Sequence, residues 1–202
     1  MLLASNGEFL IKKAYKLLGI PTNKIRIGYI TTASKGASSD DYVKIHKKMM
    51  QEYNYSFEEV DIEDKSENEL KKFFNDKNII HMEGGNTLYL LQVIRKTGFD
   101  KFLKDLMNKK IIYVGTSAGS SIVGPTIEFS SHIPNGTPVK ELTALNLVPF
   151  LIKSHYTDEK KKEYKKRIKN IKYPVKFLRD GQGIIIENGE CKFIGAGKEV
   201  IL

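Results

Sequence analysis

Residues 110–119 read Lys110-Ile111-Ile112-Tyr113-Val114-Gly115-Thr116-Ser117-Ala118-Gly119. An apolar run of strand length, rich in β-branched and aromatic side chains, passes directly into a tight Gly-Thr-Ser-Ala-Gly turn. The last five residues have the G-x-S-x-G form of a nucleophile elbow. A serine on so sharp a strand-to-helix turn is strained, so the residues two before and two after it must be nearly free of side chain. The turn pushes Oγ outward. The N–H of Ala118 and the start of the following helix then favour a developing oxyanion. A plain Gly/Ser turn is the competing reading. No lysine follows the glycine run, which rules out a Walker A loop.

On both sides of this stretch, short apolar runs alternate with amphipathic ones. The pattern predicts strands at Ile25–Ile30, Phe57–Ile62, Asn78–Met82, Lys110–Val114 and Leu147–Ile152. It predicts helices at Asp40–Tyr53, Ser66–Phe74, Asn86–Lys96, Phe99–Met107 and Asp158–Ile171. Ser39 or Asp40 can cap the first helix, Ser66 with Glu69 forms a capping box, and Gly98 ends the Asn86–Lys96 helix. The tail differs. Val175–Leu178, Gly183–Glu187 and Cys191–Ile194 read as a small β-meander turned at Asp180-Gly181 and Asn188-Gly189. Alternating strands and helices predict an α/β fold, a mostly parallel sheet covered on both faces. Such sheets bind ligands just beyond the carboxyl ends of their strands.

Two further post-strand segments therefore join the elbow. Glu83-Gly84-Gly85-Asn86-Thr87 follows the strand ending at Met82. Its glycines allow close backbone approach to a substrate, an N–H there can be the second oxyanion donor, and Asn86 or Thr87 can cap the next helix. Ser154-His155-Tyr156 follows the strand ending near Ile152 and offers a histidine to accept the serine proton. Of the other histidines, His46 falls in a charged helix, His81 in a strand where a structural role fits, and His132 in a Gly/Pro-containing loop. Such a base needs an orienting carboxylate. Asp180 is the candidate, with Asp158, Glu128 and Glu83 as rivals. The order Ser, His, Asp differs from the Ser, Asp, His order of α/β-hydrolases and argues against that fold.

The chain has 202 residues, 41% hydrophobic and 28% charged, which excludes disordered and fibrous classes and suits one domain over 1–202. No apolar stretch is long enough to span a bilayer, and residues 1–7 lack the basic and apolar regions of a signal peptide. The single cysteine, Cys191, excludes a disulfide framework or multi-cysteine metal site. A cytoplasmic location is the expectation. The net charge is +9, and residues 158–172 carry eight basic side chains against three acidic ones. Tyr164, Ile168 and Ile171 keep an apolar stripe on that helix, so its lysines read as a solvated outer face. Without aromatic interleaving they do not make a nucleic-acid site.

Together these residues resemble serine peptidase family S51, which includes dipeptidase E and, more distantly, cyanophycinase. Four segments carry the likeness: E-G-G-N-T-L-Y-L-L (83–91), G-T-S-A-G (115–119), A-L-N-L-V-P-F (144–150) and S-H-Y-T (154–157). The resemblance implies a three-layer α/β/α fold related to class I glutamine amidotransferase domains. It implies Ser117 as nucleophile, His155 as base, and Gly85 and Ala118 as oxyanion donors. It supports Asp180, which stands where the family has an acidic residue before a late glycine. Gly84, Asn86, Tyr164 and Arg167 would meet the substrate. The implied partner is a short peptide, without metal, cofactor, nucleic acid or membrane, and the protein a monomer or homodimer. Two departures stand out. The family's N-D-M-P stretch after the serine is S-S-H-I-P here (130–134), with no carboxylate. The arginine that reads an N-terminal aspartate in dipeptidase E is replaced by Tyr164, so strict Asp-X cleavage is not expected. A non-catalytic binding relative that keeps the elbow is the alternative.

Overall fold

The computed structural model describes residues 1–131, 133–134 and 136–202. Its elements run β1 (Leu2–Ala4), α1 (Gly7–Lys12), β2 (Arg26–Ile30), α2 (Asp41–Glu52), β3 (Ser56–Val60), α3 (Glu67–Phe74), β4 (Ile79–Met82), α4 (Thr87–Thr97), α5 (Phe99–Asn108) and β5 (Ile112–Thr116). There follow α6 (Ala118–Ser121), α7 (Val139–Leu142), β6 (Leu151–Lys153), α8 (Lys161–Arg167), β7 (Val175–Phe177), β8 (Gln182–Glu187) and β9 (Glu190–Gly195). Seven strands form one sheet in the order β3-β2-β4-β5-β1-β8-β9. The first five are mutually parallel; β8 lies antiparallel to β1 and β9 antiparallel to β8.

Strand side chains alternate between two buried clusters, which makes the three layers. Leu3, Ile80 and Tyr113 face α3, α4 and α5 through Leu70, Phe74, Leu90 and Phe102. Leu2, Ile79 and Val114 face α1 and α2 through Leu10, Val43 and Met50. The central strands are thus apolar on both faces, as a covered parallel sheet requires. Local signals set the helix ends. Ser66 and Glu69 close the capping box reciprocally, and Gly98 stops α4 at φ 69°. Asn86 caps α4 by accepting from the Tyr89 N–H at 3.0 Å.

Three expectations need correction. β1 lies inside the sheet, between β5 and β8, where the sequence pattern assigns no element. The Asp158–Ile171 helix is regular only over α8 and continues at both ends as 3-10 turns. Of the expected meander, β8 and β9 make the hairpin, with Asn188 and Gly189 both at positive φ as its two-residue turn requires. β7 instead pairs in parallel with β6, Leu151 opposite Val175, in a separate two-stranded sheet. What draws it there is an aromatic cluster of Phe129, Tyr156, Tyr164 and Phe177, each about 2% exposed or less. Among the described residues, no helix is long and apolar enough to cross a membrane.

Candidate active site

The parallel strands β1, β4 and β5 deliver three loops to one end of the sheet: Ser5-Asn6, Glu83–Asn86 and Ser117. Ser154-His155 enters from beyond β6. These residues line one cleft of about 620 Å³, a volume suited to a small ligand or a few peptide residues.

Ser117 stands at the N-cap of α6 with φ 48° and ψ −105°, the strained conformation its elbow motif predicts. The flanking glycine is required by contact: a Cβ on Gly119 would lie 2.1 Å from the Met82 carbonyl oxygen. His155 Nε2 is 3.0 Å from Ser117 Oγ, and Nδ1 is 2.7 Å from Asp180 Oδ1. The structure therefore brings Ser117, His155 and Asp180 into one hydrogen-bonded line. The hydrogen bond from His155 holds the Asp180 carboxyl below the ordinary range. The carboxylate is not buried: its side chain is 57% exposed.

None of the rival carboxylates hydrogen-bonds to His155 among the described residues. Asp158 pairs with Arg179 at 2.8 Å. Burial raises the Glu128 pKa, and its carbonyl oxygen accepts from Arg167. Glu83 makes no contact with His155; it accepts hydrogen bonds from Tyr29, His46, Gly84 and Thr116. His132 lies outside the described residues.

Gly84 packs against the nucleophile, a Cβ there falling 3.1 Å from Ser117 Cβ. Gly85 has φ +138°, and a Cβ on it would meet the Ala33 oxygen at 2.2 Å, so only glycine fits. The N–H groups of Gly85 and Ala118 have no hydrogen-bond acceptor among the described residues. Asn86 lines the cleft and ties it to the neighbouring loop by donating to the Gly36 carbonyl at 3.1 Å. Two expected substrate contacts are not brought there. Tyr164 turns into the aromatic cluster as part of its helix's apolar stripe, and the Arg167 guanidinium stacks 4.3 Å from the Phe129 ring.

Other cleft groups escape a motif reading. Ser5, fully buried, donates to Asp180 Oδ1 and accepts the His155 backbone N–H. Asn6 Oδ1 accepts from the Gly181 N–H at 3.2 Å, fixing the turn that carries Asp180. Their signal was the small polar pair following an apolar start. Lys153, 8% exposed, also faces the cleft and donates to Ser131 Oγ at 2.7 Å. Burial first, then repulsion from Arg167 and Lys160, lowers its pKa to about 8. Among the described residues, no cluster of three or more His, Cys, Asp and Glu side chains could hold a metal ion.

Comparison with known proteins places the chain in a family. The model of peptidase family S51 matches residues 1–194. An uncharacterized peptidase of Listeria monocytogenes, Lmo0363, is 33% identical over 87% of this chain and 84% of its own length. Peptidase E of a Nostoc species is 32% identical over 66% of this chain and 53% of its own. The crystal structure of a candidate peptidase E protein from Listeria monocytogenes superposes with a TM-score of 0.82 at 26% identity, covering 97% of this chain and 98% of that one. With the family's pattern running through nearly the whole sequence and the fold shared end to end, this chain belongs to peptidase family S51 and is a serine-type peptidase.

Proposed function

We propose that the protein hydrolyses amide bonds of short peptides by Ser-His-Asp nucleophilic catalysis. Ser117 Oγ bonds to the substrate carbonyl carbon while His155 Nε2 takes its proton. The carbonyl oxygen becomes the oxyanion, held by the N–H groups of Gly85 and Ala118. Collapse breaks the C–N bond, and the proton on Nε2 leaves with the amine. Water then attacks the acyl-enzyme with His155 again as base, which frees the acid and restores Ser117. Asp180 accepts the Nδ1–H throughout, fixing the tautomer and stabilising the imidazolium. The observation that carries this reading is the hydrogen-bonded line from Ser117 Oγ through both nitrogens of His155 to Asp180. The non-catalytic alternative drew on the missing carboxylate after the elbow; the Asp180–His155 hydrogen bond favours the catalytic reading over it.

We infer one catalytic unit over the whole chain, acting in the cytoplasm. Strict Asp-X selectivity is not part of the proposal, because Tyr164 and Arg167 stand outside the cleft. A fluorophosphonate probe and a dipeptide library test the reading. The protein should label at Ser117 and hydrolyse dipeptides, and Ser117→Ala should abolish both. Full turnover in the alanine variant would overturn it.

A further inference from the structure

Glu83 closes β4 immediately before Gly84-Gly85 and is 1% exposed. A buried carboxylate is costly unless every lone pair is used, and here all four sites are. Oε1 accepts from the Gly84 N–H at 2.6 Å and the Thr116 hydroxyl at 2.6 Å. Oε2 accepts from the Tyr29 hydroxyl at 2.5 Å and His46 Nδ1 at 2.8 Å. Burial pushes the Glu83 pKa up, but the His46 hydrogen bond, the neighbouring histidines and Thr116 outweigh it and hold the carboxyl well below the usual range.

The two donors on Oε1 come from different segments, the loop after β4 and the end of β5. Gly84 precedes Gly85, and Thr116 precedes Ser117. One oxygen thus sets the β4 loop and the elbow in register. Because the Gly84 N–H points back onto Glu83, the next N–H, that of Gly85, is left for the cleft. We propose that Glu83 is the positioning residue of the oxyanion hole: its Oε1 holds the Gly85 N–H in alignment with Ser117 and Ala118. The inference rests on the Ser117 reading above and adds a residue that does not touch the substrate.

The claim concerns an acceptor at Oε1, so two variants of Glu83 separate it from bulk and charge. Glu83→Leu fills nearly the same volume with no acceptor. Glu83→Gln keeps one oxygen for Gly84 and Thr116, because its amide nitrogen can face Tyr29 and His46, whose hydroxyl and ring nitrogen can become acceptors. Misaligned donors lower kcat without weakening ground-state binding. Expected is a fall in kcat of about 100-fold in Glu83→Leu with KM within about threefold, and recovery to within about tenfold of wild type in Glu83→Gln. A peptide aldehyde, whose adduct with Ser117 Oγ places an oxyanion in the hole, should weaken in parallel with kcat. Thr116→Val removes one of the two ties and should lower kcat by at least about threefold; it decides the matter if Glu83→Leu does not fold. The proposal is overturned if the leucine variant keeps kcat within threefold, if glutamine is as poor as leucine, or if Thr116→Val is silent. A wild-type protein that neither labels nor hydrolyses overturns the peptidase mechanism, and this inference falls with it.

Discussion

Ser5 donates its hydroxyl proton to Asp180 Oδ1 at 2.8 Å. Ser5 Oγ in turn accepts the backbone N–H of His155 at 2.9 Å. A fully buried hydroxyl therefore fastens both the acid and the base to the end of β1, an interior strand of the sheet. Asp180 is more than half exposed, so its orientation comes from this hydroxyl and not from burial. Ser5→Ala should lower kcat about tenfold with KM little changed, because it frees the carboxylate and leaves a backbone donor unpaired. The Asp180 pKa, followed by NMR, should rise as a donor is lost. Wild-type kcat in the variant would show that Asp180 is held by other means.

Exposure also sets the size of the acid's effect. A carboxylate open to solvent is screened, and water can partly replace it. Asp180→Asn should reduce kcat by about 100- to 1000-fold, short of the roughly 10,000-fold loss seen for a buried triad acid. KM should stay near its wild-type value. An unchanged kcat would mean that Ser117 and His155 work as a dyad.

Ser117 holds backbone strain at φ 48° and ψ −105°. Glycine reaches such angles at little cost. Ser117→Gly should raise the unfolding free energy by about 1 kcal/mol while abolishing turnover and probe labelling. Ser117→Ala keeps the strain and should leave the melting temperature nearly unchanged. A glycine variant no more stable than alanine would mean that the elbow is relaxed in solution.

Much of this site was legible because its residues follow strands that announce themselves. The Ile112–Thr116 strand runs into the elbow, Ile79–Met82 into the Glu83–Asn86 turn, and both strands are apolar apart from His81 and Thr116. Three-residue β1 gave no such sign. It is too short for a period, buried on both faces, and paired with β5 and β8 far along the chain. Missing it hid Ser5 and Asn6. The role of Glu83 was equally hidden, since its donors come from β2, α2, β5 and the next residue. Tyr164 could be read as apolar stripe or substrate contact, and packing against Phe129 and Phe177 decided for the stripe.

Lys153 is the cleft cation without a carboxylate in ion-pair range among the described residues. With a pKa lowered to about 8, it is charged below that pH and neutral above it. Dipeptides with Asp at the first position should therefore show KM lower than their Asn counterparts by about 3- to 10-fold at pH 7. The advantage should fade as pH rises through 8, and Lys153→Met should remove it. A preference of a hundredfold or more, or one that persists at pH 9.5, would assign recognition to another cation.

His81 is fully buried in β4, with Nδ1 at 2.8 Å from the Tyr15 hydroxyl. Burial drives its pKa down to about 4, from 6.5. The folded chain thus keeps His81 neutral at pH values where the unfolded chain protonates it. The unfolded state binds more protons between pH 6.5 and 4, so stability must fall as pH drops through that window and level off below it. Glu83 remains ionised there and does not blur the window. From pH 7 to 4.5 the loss due to His81 should be about 2 kcal/mol. Glutamine at this position can still bond to Tyr15 but does not titrate. Urea unfolding of wild type and His81→Gln at both pH values isolates the term, because every other titrating group is common to the two. The variant should start less stable at pH 7 and lose about 2 kcal/mol less on acidification. Equal losses in the two proteins would mean that the folded chain does not keep His81 neutral in this window.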